Sequence, residues 1–173
     1  WIVEDVVAKL AADADRPPVV LEADRDWEEH PRDALARLAT AACRAVRRGT
    51  RLVIVQDRHV VEEGRAWLDP LVVVGAVHRA LIEQPSASGS LRRDCAVLIS
   101  AGSLRNLHDI VVAFGLGADA VNPYLLLEHA LSLEDPDALA NLVEALLKGI
   151  EKVISTLGIH ELAHYFTARR HGV

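Results

Sequence analysis

The sequence predicts an α/β fold. Strands and helices alternate around a mainly parallel sheet, either open or curled into a reduced or partial (β/α) barrel, and the chain ends in helices. Three observations carry this expectation. Short apolar runs alternate with longer amphipathic ones. The runs Leu52-Val53-Ile54-Val55 and Cys95-Ala96-Val97-Leu98-Ile99 are almost continuously apolar, as in strands covered on both faces. The stretches between them are long enough for the helical crossovers that join parallel strands. Periodicity alone does not separate an open sheet from part of a barrel.

Taken in order, Pro17-Pro18-Val19-Val20-Leu21 begins a strand behind a proline stop. Apolar positions Ala34, Leu35, Leu38, Ala41, Ala42 and Val46 recur at helical spacing between Pro31 and Arg48. Pro31 suits the first turn of that helix and Gly49 the left-handed residue past its end. Leu52 to Val55 forms the next strand, Pro70 to Ile82 a helix, Gln84 to Ser90 a loop, and Cys95 to Ile99 a third buried strand. Ser103 is expected to cap a helix running to about Phe114, broken by Gly115-Leu116-Gly117. Ala118 to Val121 makes a brief strand. Asn122 is expected to cap a further helix, Leu133 to Asp137 to turn, and Pro136 to Ile154 to form a long helix. A last helical pattern runs from Ile159 to about Arg170.

The chain has 173 residues, 51% of them apolar and 25% charged, which fits one domain with a real core. Its formal net charge of −6 disfavours a mainly electrostatic nucleic-acid binder. No apolar run reaches the length of a membrane span, and no secretory signal pattern opens the chain. Two cysteines, Cys43 and Cys95, are too few for a disulfide framework or a four-thiolate site. Opening at Trp1, without any methionine and stopping at Val173, the sequence is expected to be part of something longer.

Several residues invite a chemical interpretation. Gly115-Leu116-Gly117 invites a phosphate-loop interpretation, but it follows a helix and precedes a strand, so the ordinary interpretation is a helix stop. Arg44, Arg47, Arg48 and Arg51 are dense and basic, yet they close a helix, where cations complement the dipole, and no aromatics interleave with them. Asp57-Arg58-His59 follows the carboxyl end of a strand, where α/β proteins place ligand contacts; a local ion pair would also account for it. His78 and His108 lie on amphipathic helices, and Cys43 and Cys95 fall where a free cysteine acts as a small hydrophobe.

His160-Glu161-Leu162-Ala163-His164 has both imidazoles four residues apart on one helix face, a spacing that can bind zinc with Glu161 as base. The string from His160 to Val173 also resembles the first active-site helix of site-2-type intramembrane zinc proteases. A catalytic zinc needs a third ligand. His171 lies seven residues past His164, a rise of about 10 Å on a helix, so Glu128, His129 or another distant residue would have to fold back. Lys148, Glu151 and Lys152 precede the motif and do not suit a bilayer. The alternative is an amphipathic helix with Leu162, Tyr165 and Phe166 inward, and the expectation is that no metal is bound.

Four strings in the middle of the chain resemble a known family. They are Leu52-Val53-Ile54-Val55-Gln56-Asp57-Arg58, the proline-led segment Leu68 to His78 ending in Gly75-Ala76-Val77-His78, the run Phe114 to Leu125 containing Gly117-Ala118-Asp119-Ala120-Val121-Asn122-Pro123-Tyr124, and Lys148 to Ile159. In this order they are similar to the central domain of the glutamate synthase large subunit. Two places depart from that pattern: Gln56 stands where the family usually has serine, and Ala163-His164-Tyr165-Phe166 replaces an expected Arg-Gly-Tyr-like continuation. The resemblance implies residues 1–158 as a central-domain-like α/β unit and 159–173 as a C-terminal helix of separate character. It implies a parent enzyme making glutamate from glutamine and 2-oxoglutarate, with FMN and an iron–sulfur cluster in its other domains and no cofactor in this segment. Its implied partners are the parent's amidotransferase and FMN domains, with no nucleic acid and no membrane, in the cytoplasm. The implied role is structural and ammonia-conducting, without catalytic residues; a self-standing small-molecule binding module is the competing possibility.

Overall fold

The computed structural model describes residues 17–58 and 64–156. Four parallel strands form the sheet: β1 (Val19–Glu22), β3 (Leu52–Gln56), β5 (Ala96–Ser100) and β6 (Ala120–Asn122), adjacent in that order. Helices α1 (Pro31–Arg47), α2 (Pro70–Glu83) and α3 (Leu107–Leu116) cross between them, and α4 (Tyr124–Leu131) and α5 (Ala138–Thr156) follow. Spatial order repeats chain order, so the sheet winds in one direction only. A doubly wound sheet would reverse at a switch point, whereas one-way winding puts successive crossover helices on the same face, as in a barrel. The contacts agree: α1 packs on α2, and α2 on α3. The expected α/β architecture is therefore present as a partial barrel ending in helices.

Val53, Val55, Val97 and Ile99 alternate toward these helices and are fully buried among Leu38, Val73, Val77 and Leu81. Each such side chain contributes about 1.5–3 kcal/mol by leaving water. Local chemistry sets the helix ends. His30 Nδ1 accepts from the Arg32 N–H at 3.2 Å ahead of Pro31, and Asp69 Oδ1 accepts from Leu71 N–H at 2.9 Å ahead of Pro70. Gly49, at φ 98°, takes the left-handed conformation past α1 as expected.

Several expected boundaries move, among them the start of β6, now at Ala120, and the end of α3, now at Leu116. Ser103 does not cap α3; Asn106 does, its Oδ1 accepting from the Asp109 N–H at 3.0 Å while Asp109 accepts from Arg105 N–H at 2.9 Å. The fully buried Leu104 holds the intervening loop against the core, so the helix starts later. Asn122 is the last residue of β6 rather than a cap, because its side chain turns to Ser100; Pro123 precedes α4 instead. Helix α5 starts at Ala138, not Pro136.

One feature was not expected: β2 (Asp24–Asp26) pairs antiparallel with β4 (Arg65–Trp67) as a separate ribbon. Its strands have three residues each and no apolar period, and their cohesion is long-range. Arg65 reaches across to both Asp24 and Asp26.

Candidate functional site at the carboxyl end of the sheet

Successive strand residues face opposite sides of the sheet. Leu21, Val53, Val55, Val97 and Ile99 face the helices, so the intervening residues face the other side, the interior side of a barrel. The register places Val20, Ile54, Leu98 and Ala120 in one row on that side, and Glu22, Gln56, Ser100 and Asn122 in the next. The second row consists of the last residue of every strand. An apolar layer is thus topped by a polar one at the carboxyl end, where parallel barrels and open α/β sheets carry their sites.

The polar row is joined in pairs. Gln56 Nε2 donates to Glu22 Oε1 at 2.6 Å, and Asn122 Nδ2 donates to Ser100 Oγ at 3.0 Å, the latter pair buried. Glu22 Oε2 is buried and accepts no hydrogen bond among the described residues. A buried carboxylate oxygen without a donor is costly, so this end of the row is incomplete.

Beyond the row, Asp57 gathers the loops that leave the other strands. It is buried, and its Oδ1 accepts from the Gly102 N–H at 3.0 Å and from the Tyr124 hydroxyl at 3.0 Å. The Arg58 guanidinium lies over the Tyr124 ring, 4.6 Å from its centroid. Burial first, then the charge of Asp57 and the bond to it, push the Tyr124 phenol up to about 12, with Arg58 opposing. A Cβ at Gly102 would come within 2.6 Å of Leu125 Cδ1 and 2.9 Å of the Tyr124 oxygen, so a side chain there would make both side chains shift. Next to it, Ser103 Oγ is buried without a partner among the described residues. Such an arrangement holds three strand-to-helix loops together at the carboxyl end of the sheet.

A second cluster lies at the opposite, amino end of the sheet. Arg92 donates to His78 Nδ1 at 2.9 Å, to the Cys95 carbonyl at 2.8 Å, to the Gly117 carbonyl at 3.0 Å and to Asp119 Oδ2 at 2.7 Å. The same Asp119 oxygen accepts from the Val97 N–H at 2.7 Å. Gly117 has φ 111°, and a Cβ there would sit 2.2 Å from His78 Cγ. Burial raises the neighbouring Cys95 thiol to about 11 and that of Cys43 in the same direction.

The structure brings Asp57 and Arg58 to the carboxyl-end site, while His59 lies outside the described residues. Gly115-Leu116-Gly117 is the end of α3, and the Gly117 carbonyl is taken by Arg92, which leaves the helix-stop explanation. Arg44, Arg47 and Arg48 stay exposed at the end of α1, beside a groove between α1 and α2, with Arg47 on Gln84; Arg51 donates to the Asp94 carbonyl at 3.2 Å. His108, Glu128 and His129 are exposed. Among the described residues no three His, Cys, Asp or Glu side chains converge to hold a metal. His160, Glu161, His164 and His171 lie outside the described residues. Sequence reasoning missed Glu22, Ser100 and the second role of Asn122. The available signal was that every apolar run closes on a polar residue.

Residues 8–171 match the glutamate synthase central domain family. The match includes His160 to His164, and nothing supports a relationship to zinc proteases. The chain is 32% identical over 142 residues to the NADH glutamate synthase of Schizosaccharomyces pombe, covering 76% of this chain and 6% of that protein. To the NADPH glutamate synthase large chain of Bacillus subtilis it is 29% identical over 139 residues, covering 76% and 9%. To the ferredoxin-dependent chloroplastic enzyme of Spinacia oleracea it is 27% identical over 171 residues, covering 88% and 10%. The chain thus spans only 6–10% of the length of these relatives. Among solved structures, a mandelate oxidase with benzoyl-formic acid superposes with TM-score 0.59 at 22% identity, over 94% of this chain and 41% of the other, and shares the fold alone. Family match and relatives agree: this chain belongs to the glutamate synthase central domain family.

Proposed function

We propose that the chain is the connecting domain of a cytoplasmic glutamate synthase. It holds the parent's amidotransferase and FMN domains in place and gives ammonia a polar path between them, with no catalytic group of its own. The parent takes nitrogen from glutamine and makes glutamate from 2-oxoglutarate. The observation that carries this reading is the row Glu22, Gln56, Ser100 and Asn122, which tops all four parallel strands on the interior side. Hydrogen-bonding groups spaced by the strand separation of roughly 4.8 Å suit the stepwise passage of a small N–H donor. The chain itself does not suit the parent's cluster: iron–sulfur clusters take four thiolates, and Cys43 and Cys95 are its only two cysteines. The cluster is therefore assigned to another of the parent's domains, and the resemblance implies the same for FMN.

The test is nitrogen coupling in the full-length enzyme, read as glutamine hydrolysed per 2-oxoglutarate consumed. With an intact path the ratio is one-to-one. Replacing Asn122→Leu and Gln56→Leu together should raise it and release free ammonia, while the isolated chain should show neither flavin absorbance nor glutamine hydrolysis. An unchanged ratio, or FMN bound by the isolated chain, would refute the connecting role.

A further inference from the structure

We propose that the groove between α1 and α2 is a ligand site for a small molecule with a phosphate-type head and an apolar body. Arg44, Arg47 and Arg48 hold the head, and Ala36, Ala39 and Ala80 carry the body. This site is independent of the connecting-domain reading. The groove has a volume of about 620 Å³, within the range of roughly 300–1,000 Å³ typical of small-molecule sites and far larger than a phosphate ion. Its walls come from two elements: Ala36, Ala39, Cys43 and the arginines belong to α1 and its cap, while Ala80 lies on α2 and Gln84 caps it.

The charge at this groove is unmatched. Arg37, Arg65, Arg79, Arg92 and Arg105 each meet a carboxylate of the fold. Arg44 and Arg48 have no acidic partner among the described residues, and Arg47 pairs with the neutral Gln84. These positive charges lie together in a chain whose formal net charge is −6. The helix dipole favours cations in a last turn, but it does not account for the groove beside them. Arg47 Nη2 donates to Gln84 Oε1, which ties one wall of the groove to the other. Its charge also reaches the floor, where it opposes the burial that raises the Cys43 thiol. Spacing then selects the head. Positions 44, 47 and 48 stand at i, i+3 and i+4, one helix face with Cβ atoms about 5–6 Å apart. A carboxylate has two oxygens and is satisfied by one guanidinium fork. A phosphate monoester has three terminal oxygens and nearly two charges, which several guanidinium groups match. Along the rest of the groove Ala36, Ala39 and Ala80 present methyl groups, so the remainder of the ligand is apolar.

Isothermal titration calorimetry on the full chain tests this with phenyl phosphate, inorganic phosphate and benzoate at equal ionic strength. Phenyl phosphate should bind about tenfold tighter than inorganic phosphate, the gain from burying about 60 Å² of ring, and tighter than benzoate. Replacing Arg44→Gln and Arg48→Gln together should weaken phenyl phosphate by about tenfold or more, because charge-assisted hydrogen bonds are lost. Ala36→Trp fills the groove without altering its charge; it should abolish the preference for the ring and leave inorganic phosphate bound. All three positions are exposed, so the variants should keep the parental urea midpoint and a lost affinity reads binding. No heat from phenyl phosphate, or an affinity unchanged in the double variant, would overturn the site. Equal affinity for phenyl and inorganic phosphate, or a preference that survives Ala36→Trp, would leave only a charged helix end and overturn the groove. Benzoate bound as tightly as phenyl phosphate would overturn the phosphate-type head.

Discussion

The two ends of the sheet are built from similar side chains but finished differently. At the amino end, Arg92 places hydrogen bonds on His78, Cys95, Gly117 and Asp119, and Asp119 in turn takes the Val97 N–H, so the cluster is closed. At the carboxyl end, the row from Glu22 to Asn122 is paired but ends on a buried oxygen with no donor among the described residues, and Ser103 Oγ nearby is in the same condition. A closed polar network rigidifies, whereas each unsatisfied buried group of an incomplete one lowers stability. In barrels the amino end generally serves stability and the carboxyl end function. The asymmetry here follows that division.

Breaking the amino end should cost most. Gly117→Val forces a branched side chain into φ 111° and into the His78 ring, and should destabilise by about 4 kcal/mol from backbone strain and overpacking together. Urea unfolding with an unchanged slope would read this directly. Arg92→Leu removes the donor of the Cys95 and Gly117 carbonyls and the ion pair to the partly exposed Asp119, and should cost about 2 kcal/mol. A loss smaller than that of Tyr124→Phe would show that the clamp is not what closes this end.

Tyr124→Phe, at the carboxyl end, removes one hydrogen bond to Asp57 and should cost about 1 kcal/mol. Tyr124 also predicts a pH dependence. Its phenol titrates near 12 in the fold against an ordinary 10.0. Between those values the unfolded chain has lost the proton that the fold retains, so stability falls as pH rises through this window. The contribution is complete below pH 10.0 and gone above about 12. Phenolate absorbance against pH would check this, since a titration near the ordinary value means that burial and Asp57 do not hold the proton.

Much of this was legible in the sequence because it is local. The β-branched runs marked β3 and β5, Pro31 and Pro70 marked helix starts, and Gly49 and Gly117 marked helix ends. Asp57 and Arg58 were placed correctly because a strand end is visible as the point where apolar residues stop. What was not legible depends on register. Glu22 lies 34 positions from Gln56, and Ser100 lies 22 from Asn122, so no spacing rule relates them until the strands are aligned. The β2–β4 ribbon was hidden for the same reason, since Arg65 meets Asp24 across 41 positions. Asn122 was misjudged as a cap because asparagine before a proline-led helix is a local cap signal, and a long-range bond to Ser100 overrode it.

The most direct test of the contrast is the urea midpoint of Glu22→Gln, measured beside that of Arg92→Leu. The substitution keeps an acceptor for Gln56 and removes the unserved buried charge. If the carboxyl end is an incomplete row, the variant should unfold within about 0.5 kcal/mol of the unsubstituted chain, or later. A loss of about 2 kcal/mol or more, comparable to that of Arg92→Leu, would mean that Glu22 is already satisfied in the fold and that both ends serve stability alike.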